Sequence, residues 1–183
     1  RNRLYRNTGG MLEATPFWES DELDTTTSLA WGDVDNDGDL DLAAGNSGYP
    51  TRLYRNDRGV LTTSAAWSSG LGESTTSVAW GDVDGDGDLD LAVGNDSELN
   101  RLYRNDGGVL TASPMWSSIE ADSTLSVAWG DYDGDGDLDL AVGNGFSGHP
   151  SRVYRNDDGT LTPGAVWSSP PVSGDYPRSV AWG

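Results

Sequence analysis

Three stretches of nine residues carry aspartate at every odd position. They are Asp33-Val-Asp35-Asn-Asp37-Gly-Asp39-Leu-Asp41, Asp82-Val-Asp84-Gly-Asp86-Gly-Asp88-Leu-Asp90 and Asp131-Tyr-Asp133-Gly-Asp135-Gly-Asp137-Leu-Asp139. Oxygen donors at positions 1, 3 and 5, with glycine at 6 for a sharp turn, suit a hard cation, and the alternative is a solvated acidic turn without an ion. Unneutralised, carboxylates crowded this closely repel one another. An EF-hand would need a bidentate Glu at position 12 and flanking helices, whereas position 12 here is Ala44, Val93 or Val142 and the flanks read as strands. The expected side-chain ligands are therefore positions 1, 3, 5 and 9, with a backbone carbonyl from position 7. The position-7 side chains (Asp39, Asp88 and Asp137) are expected to face solvent. Ca²⁺ fits better than Mg²⁺, which prefers tighter octahedral sites with retained water. Three Ca²⁺ sites are expected.

The elements that must hold these loops are repeated with them. Trp31, Trp80, Trp129 and Trp182 lie in the pentads Ser-Leu-Ala-Trp-Gly or Ser-Val-Ala-Trp-Gly, spaced 49, 49 and 53 residues apart. Tyr5, Tyr54, Tyr103 and Tyr154 centre Arg-(Leu/Val)-Tyr-Arg-Asn motifs, and Trp18, Trp67, Trp116 and Trp167 each follow 13 residues later. In the second full copy, Ser77–Gly81 reads as strand one and Asp88–Asn95 as strand two. Arg101–Asn105 reads as strand three and Val109–Trp116 as a looser strand four. Period-two alternation and Gly/Asn/Asp punctuation favour strands throughout, and nothing reads as a helix. Asn-Asp-Gly-Gly at 105–108 has hairpin-turn chemistry.

Four short antiparallel strands per unit of about 49 residues make the blade of a β-propeller, so the fold class is all-β. The whole chain, 1–183, reads as one propeller arc. Residues 1–28 hold strands three and four of a partial blade and a connection. Blades follow at 29–76, 77–125 and 126–178, and 179–183 is the first strand of a further blade. The remaining blades would come from a longer chain or from ring closure between copies.

Composition narrows the function. The 183 residues carry 30 acidic and 11 basic side chains, all arginine, for a net charge of −19. That charge argues against nucleic acid and against anionic membrane surfaces. No apolar run is long enough to span a bilayer, so no membrane insertion is expected. Without cysteine there is no thiolate metal site, disulfide or thiol nucleophile, and His149 alone leaves little room for histidine catalysis. Fifteen of the 30 acidic residues lie in the three loops, so the acidity is mostly local; three Ca²⁺ would bring the formal charge to −13.

The loop motif Gly-Asp-(Val/Tyr)-Asp-(Asn/Gly)-Asp-Gly-Asp-Leu-Asp-Leu-Ala-(Ala/Val)-Gly-Asn, preceded by Ser-(Leu/Val)-Ala-Trp, resembles the FG-GAP/VCBS repeat family. The family includes the integrin α-subunit propeller and many bacterial secreted proteins. The resemblance implies a propeller, often seven-bladed, with Ca²⁺ as a structural ion in the strand one–two hairpins. It does not imply one particular activity.

Eight arginines recur as pairs in the tyrosine motifs, from Arg3/Arg6 to Arg152/Arg155. Either they pair with carboxylates or stack on aromatic rings between blades, or they form an anion-binding ring. The tryptophans are read as packing between blades, with ligand stacking as the alternative. The copies differ mainly in the two–three loops and the unit-to-unit connections, which should emerge together on the face opposite the aspartate loops. Tyr49, Phe146, His149 and Tyr176 are the candidate ligand-binding residues of that face. The expected function is a calcium-binding, non-enzymatic module of a secreted or cell-surface protein, acting in adhesion or recognition of a protein or glycan. A lectin is the nearer alternative. A polysaccharide-degrading enzyme, testable through Glu73 or Glu120, is the more distant one. Asn95-Asp-Ser97 is a formal glycosylation sequon.

Overall fold

The computed structural model describes residues 1–145, 149–170 and 178–182. Among these, every regular element is a strand, and no helix long and apolar enough to cross a membrane is present. Three four-stranded antiparallel sheets follow one another along the chain. Strand one is Thr26–Gly32, Thr75–Gly81 and Thr124–Gly130 in the successive sheets; strand two is Asp41–Asn46, Asp90–Asn95 and Asp139–Asn144. Strand three is Arg52–Tyr54, Arg101–Tyr103 and Arg152–Tyr154, and strand four is Trp67–Ser68, Trp116–Ser117 and Trp167–Ser168. Ahead of them, Arg3–Leu4 pairs with Trp18–Glu19 as strands three and four of a partial unit.

The register sets the aspartate loops. Gly32 pairs with Asp41, Gly81 with Asp90 and Gly130 with Asp139, so positions 1 to 8 of each loop form the turn and position 9 opens strand two. Strand two therefore starts at Asp90 rather than Asp88 in the second copy, because Asp88 and Leu89 belong to the turn. The 109–116 stretch is not one strand. Val109–Leu110 folds back on Asn105–Asp106 as a separate small hairpin, and only Trp116–Ser117 pairs with strand three. The hairpin takes Asn105 out of strand three, which ends at Tyr103. The other two blades repeat this arrangement with Asn56–Asp57/Val60–Leu61 and Asn156–Asp157/Thr160–Leu161.

Both faces of a blade are buried, which explains why strand two alternates in type yet is buried at all six positions of Asp90–Asn95. Leu91, Val93 and Tyr103 of the second blade pack with Ala43 and Leu53 of the first. Ala92, Leu102 and Trp116, from its other face, pack with Leu140, Val142 and Tyr154 of the third. The core is thus a series of inter-blade layers, each built by apolar burial at about 25 cal/mol per Å².

The repeated pentad is an inter-blade clasp along strand one. Ser28 Oγ accepts the Val78 N–H (3.2 Å) and the Ala30 carbonyl accepts Trp80 Nε1–H (3.3 Å). The same bonds join Ser77 to Val127 and Ala79 to Trp129, then Ser126 to Val180 and Ala128 to Trp182. The second tryptophan series also bridges blades. Trp18, Trp67 and Trp116 donate Nε1–H to the carbonyls of Thr62, Thr111 and Thr162, and each ring meets the next tyrosine edge-on at 5.0–5.3 Å.

Candidate metal centre

Each turn gathers carboxylates. Asp33, Asp35 and Asp37 in the first loop, Asp82, Asp84 and Asp86 in the second, and Asp131, Asp133 and Asp139 in the third each bring one oxygen within 4.8 Å of the others. Asp135 lies outside the third group. Backbone bonds shape the turn. The Gly at position 6 adopts φ of 94°, 94° and 100° in the three loops, a region that favours glycine. Its N–H donates to the position-1 carboxylate: Gly38 to Asp33, Gly87 to Asp82 and Gly136 to Asp131, at 3.0–3.1 Å. The position-5 carboxylates of Asp37, Asp86 and Asp135 each accept the N–H of position 7 at 2.9 Å.

Position 7 departs from expectation. Its side chains do not simply face solvent. Asp39, Asp88 and Asp137 accept the N–H of Arg58, Gly107 and Asp158 in the small hairpin, at 2.6, 2.6 and 2.9 Å. These hairpin residues have positive φ, so the carboxylate fixes a turn that would otherwise present a bare donor.

Position 9 has a structural duty. Asp41, Asp90 and Asp139 are fully buried. One oxygen of each accepts the N–H of position 2 (Val34, Val83 or Tyr132), and the other accepts the N–H of Asn56, Asn105 or Asn156, which opens the small hairpin. Only in the third loop does position 9 also join the carboxylate group. Burial pushes Asp90 up to about 6, against the two N–H bonds that favour its charge, and the charges of Asp84 and Asp86 raise it further. Burial likewise raises Asp41.

The loops differ in how their charge is met. Arg104 brings Nη2 to 2.6 Å from Asp84 Oδ2 and 3.2 Å from Asp86 Oδ2, and Arg55 pairs with Asp35 and lies 3.3 Å from Asp41. Arg155 turns instead to Asp157, at 2.8 Å. Asp133 of the third loop is raised by desolvation and then by the charges of Asp135 and Asp139.

The donor set fits a hard cation. Asp82 Oδ1 and both oxygens of Asp84 are buried without a hydrogen-bond partner, the Arg104 contact to Asp84 being close but not aligned as a hydrogen bond. Carboxylate oxygens buried in the turn without a hydrogen-bond partner are what a bound cation would satisfy.

The model of the FG-GAP-like repeat matches residues 1–44, 33–93 and 82–142, and that of the FG-GAP repeat matches 123–162. The chain belongs to the FG-GAP-like repeat family. No curated protein matches the sequence. FG-GAP repeats commonly carry metal-binding aspartate loops, and the three groups described here lie within the matched segments.

The remaining charged residues of this FG-GAP chain are largely committed to structure. The first arginine of each whole-blade motif pairs with an acid from the connection before its own blade: Arg52 with Asp24 (2.9 Å), Arg101 with Glu73 (2.5 Å) and Arg152 with Asp122 (2.6 Å). Two further connection acids, Glu22 and Glu120, accept the buried hydroxyls of Tyr54 and Tyr154. In the partial unit, Arg6 lies over the Phe17 ring at 4.7 Å. Of the candidate ligand-binding residues, Tyr49 is 44% exposed. His149 is tied down, its Nδ1 accepting the Ser123 N–H at 3.0 Å. Tyr49 and His149 lie in the two–three loops of the first and third blades, with the second blade between them. Phe146 and Tyr176 lie outside the described residues. The two–three loops and connections do run side by side, through the bridges Ser47 to Ser74 and Asp96 to Ser123. The sequon is no glycan acceptor in this fold. Asn95 is fully buried, with its amide donating to Glu73 and to the Leu99 carbonyl.

Sequence reasoning missed Asn56, Asn105 and Asn156 as site residues. The signal was present, because the same asparagine closes every tyrosine motif, but it read as ordinary turn chemistry.

Proposed function

We propose that this chain is a calcium-stabilised, non-enzymatic FG-GAP propeller module of a secreted or cell-surface protein, recognising a protein or glycan through the face opposite its metal loops. The observation that carries the calcium reading is the set of buried carboxylate oxygens on Asp82 and Asp84 that have no hydrogen-bond partner. Positions 1, 3 and 5 would hold the ion in the first two loops, and Asp131, Asp133 and Asp139 in the third; Ca²⁺ would supply charge neutralisation and fix the turn between strands one and two. Against an enzyme stands the engagement of the candidate carboxylates: Glu73 is held by Arg101 and Glu120 by Tyr154.

Differential scanning calorimetry on metal-free and calcium-loaded protein tests the reading. Chelation should lower the melting temperature sharply and calcium should restore it, while Asp84→Ala should melt like the metal-free protein near the second loop. An unchanged melt after verified metal removal would sink the structural-ion claim. A glycan is favoured as ligand by the exposed Tyr49 ring, an apolar body with a polar tip on a loop surface. Glycan-array binding in calcium, lost in Tyr49→Ala, is the expected result; silence across diverse glycans would point to a protein partner.

A further inference from the structure

The three aspartate loops are joined by one continuous run of buried hydrogen bonds. Asp41 of the first loop accepts the Val34 N–H (3.2 Å), and the Val34 carbonyl accepts the side-chain amide of Asn105 (2.7 Å). The backbone N–H of the same Asn105 donates to Asp90 of the second loop (2.7 Å), which also accepts the Val83 N–H (2.9 Å). The Val83 carbonyl then accepts the side-chain amide of Asn156 (2.6 Å), whose N–H donates to Asp139 of the third loop (2.8 Å). Asn105, Asn156, Asp41, Asp90 and Asp139 are all fully buried, so water cannot replace a broken link. A second contact runs across the surface, where the Asn36 amide donates to Asp88 at 2.8 Å. Asn56 holds the same place in its motif, but its amide bonds the Leu40 carbonyl of its own blade (3.0 Å).

We propose that the three metal sites are positively coupled, occupancy of one loop raising the cation affinity of its neighbours, and that Asn105 and Asn156 are the positioning residues that carry the coupling. The inference rests on the calcium reading above. Closing a loop on an ion fixes the peptide of position 2, held to position 9 on one side and to the next blade's asparagine on the other. That asparagine's own backbone is held by position 9 of the next loop. Each ion therefore meets part of the ordering cost of its neighbour's site, which produces positive cooperativity without any large movement.

The test follows the amide signals of Gly38, Gly87 and Gly136 in the ¹⁵N-labelled 183-residue chain titrated with Ca²⁺, since each glycine bonds the first aspartate of its own loop. Asp84→Asn should abolish the Gly87 response and raise the half-saturating calcium concentration at Gly38 and Gly136 by about fivefold or more, the range usual for linked sites. In an Asn105→Ala background, adding Asp84→Asn should no longer move Gly38 but should still move Gly136. Asn156→Ala should give the mirror result, and stands in should Asn105→Ala fail to fold. Asn56→Ala should leave the linkage between loops intact. If Asp84→Asn leaves Gly38 and Gly136 unmoved, or if the effect on Gly38 survives Asn105→Ala, the coupling is overturned while calcium binding stands. If no glycine responds to calcium in the unmodified chain, the calcium reading falls and the coupling with it.

Discussion

The indole of Trp80 lies against the bare Cα of Gly32, so closely that an added Cβ would sit 2.8 Å from its Cδ1. Trp129 meets Gly81 in the same way, at 2.6 Å. Neither glycine needs positive φ, so the requirement is space. Gly81→Ala should therefore force the third blade away from the second and destabilise the protein by about 1–3 kcal/mol, the usual cost of overpacking. Urea denaturation would show it, and an unchanged midpoint would mean that the strand-one clasp does not hold the blades together.

Tyr103 is the one blade tyrosine of the three whose buried hydroxyl has no partner. Tyr54 donates to Glu22 and Tyr154 to Glu120, and Leu71 occupies the matching place in the second copy. Leu71→Glu should complete the bond and stabilise the chain by about 1 kcal/mol, while Glu120→Leu should cost about 1–3 kcal/mol by orphaning Tyr154. Thermal melts of both variants check the pair; a loss of stability in Leu71→Glu would contradict the assignment.

The blade and its loops were legible because their determinants are local. Alternation marks strand two, the aspartate ladder marks its hairpin, and the tryptophan spacing gives the period. What the sequence concealed lies between blades. Asn105 contacts Val34 across 71 residues, and its neighbours in sequence say only that it suits a turn. The small hairpin was hidden for a similar reason. Val109 and Leu110 look like the start of strand four until Asp88 is seen holding the Gly107 N–H and turning the chain back. Asp88 itself looks solvent-facing in a one-dimensional ladder that contains no hairpin to cap. The connection acids were invisible as partners because Glu73 and Arg101, 28 residues apart, meet only once strand three lies alongside its own connection.

Burial of Asp90 gives the metal-free protein a distinctive pH dependence. Its folded-state pKa, about 6, lies above the ordinary 3.8, so between these values the folded state binds more protons than the unfolded. This group's contribution to stability is therefore greatest below about pH 4 and declines as pH rises through 6, by up to about 3 kcal/mol. The comparison to make is metal-free chain against Asp90→Asn in denaturation curves from pH 4 to 7. Relative to Asp90→Asn, the unmodified chain should lose stability as pH rises in the absence of metal. Calcium, which favours the carboxylate, should flatten or reverse that trend. A pH-independent difference in metal-free buffer would show that the carboxylate is already charged at pH 4.

Arg104 places a guanidinium where a cation in the second loop would have to share or displace its contacts with Asp84 and Asp86. Two unit charges a few ångströms apart near a surface interact by a few kcal/mol, and the 41% exposure of the Arg104 side chain reduces that further. Arg104→Ala should thus have opposite effects in the two states. The metal-free protein should melt lower, because carboxylates lose their counter-charge, and calcium affinity at the second loop should rise about three- to tenfold. Arg155→Ala provides the contrast, since Arg155 bonds Asp157 rather than the third loop's aspartates. Its effect on calcium binding should be small. The Gly87 and Gly136 amides report the two loops separately, so one titration series on each variant decides the matter. A weaker second site in Arg104→Ala would mean that the arginine orders the loop for the ion instead of standing in for it.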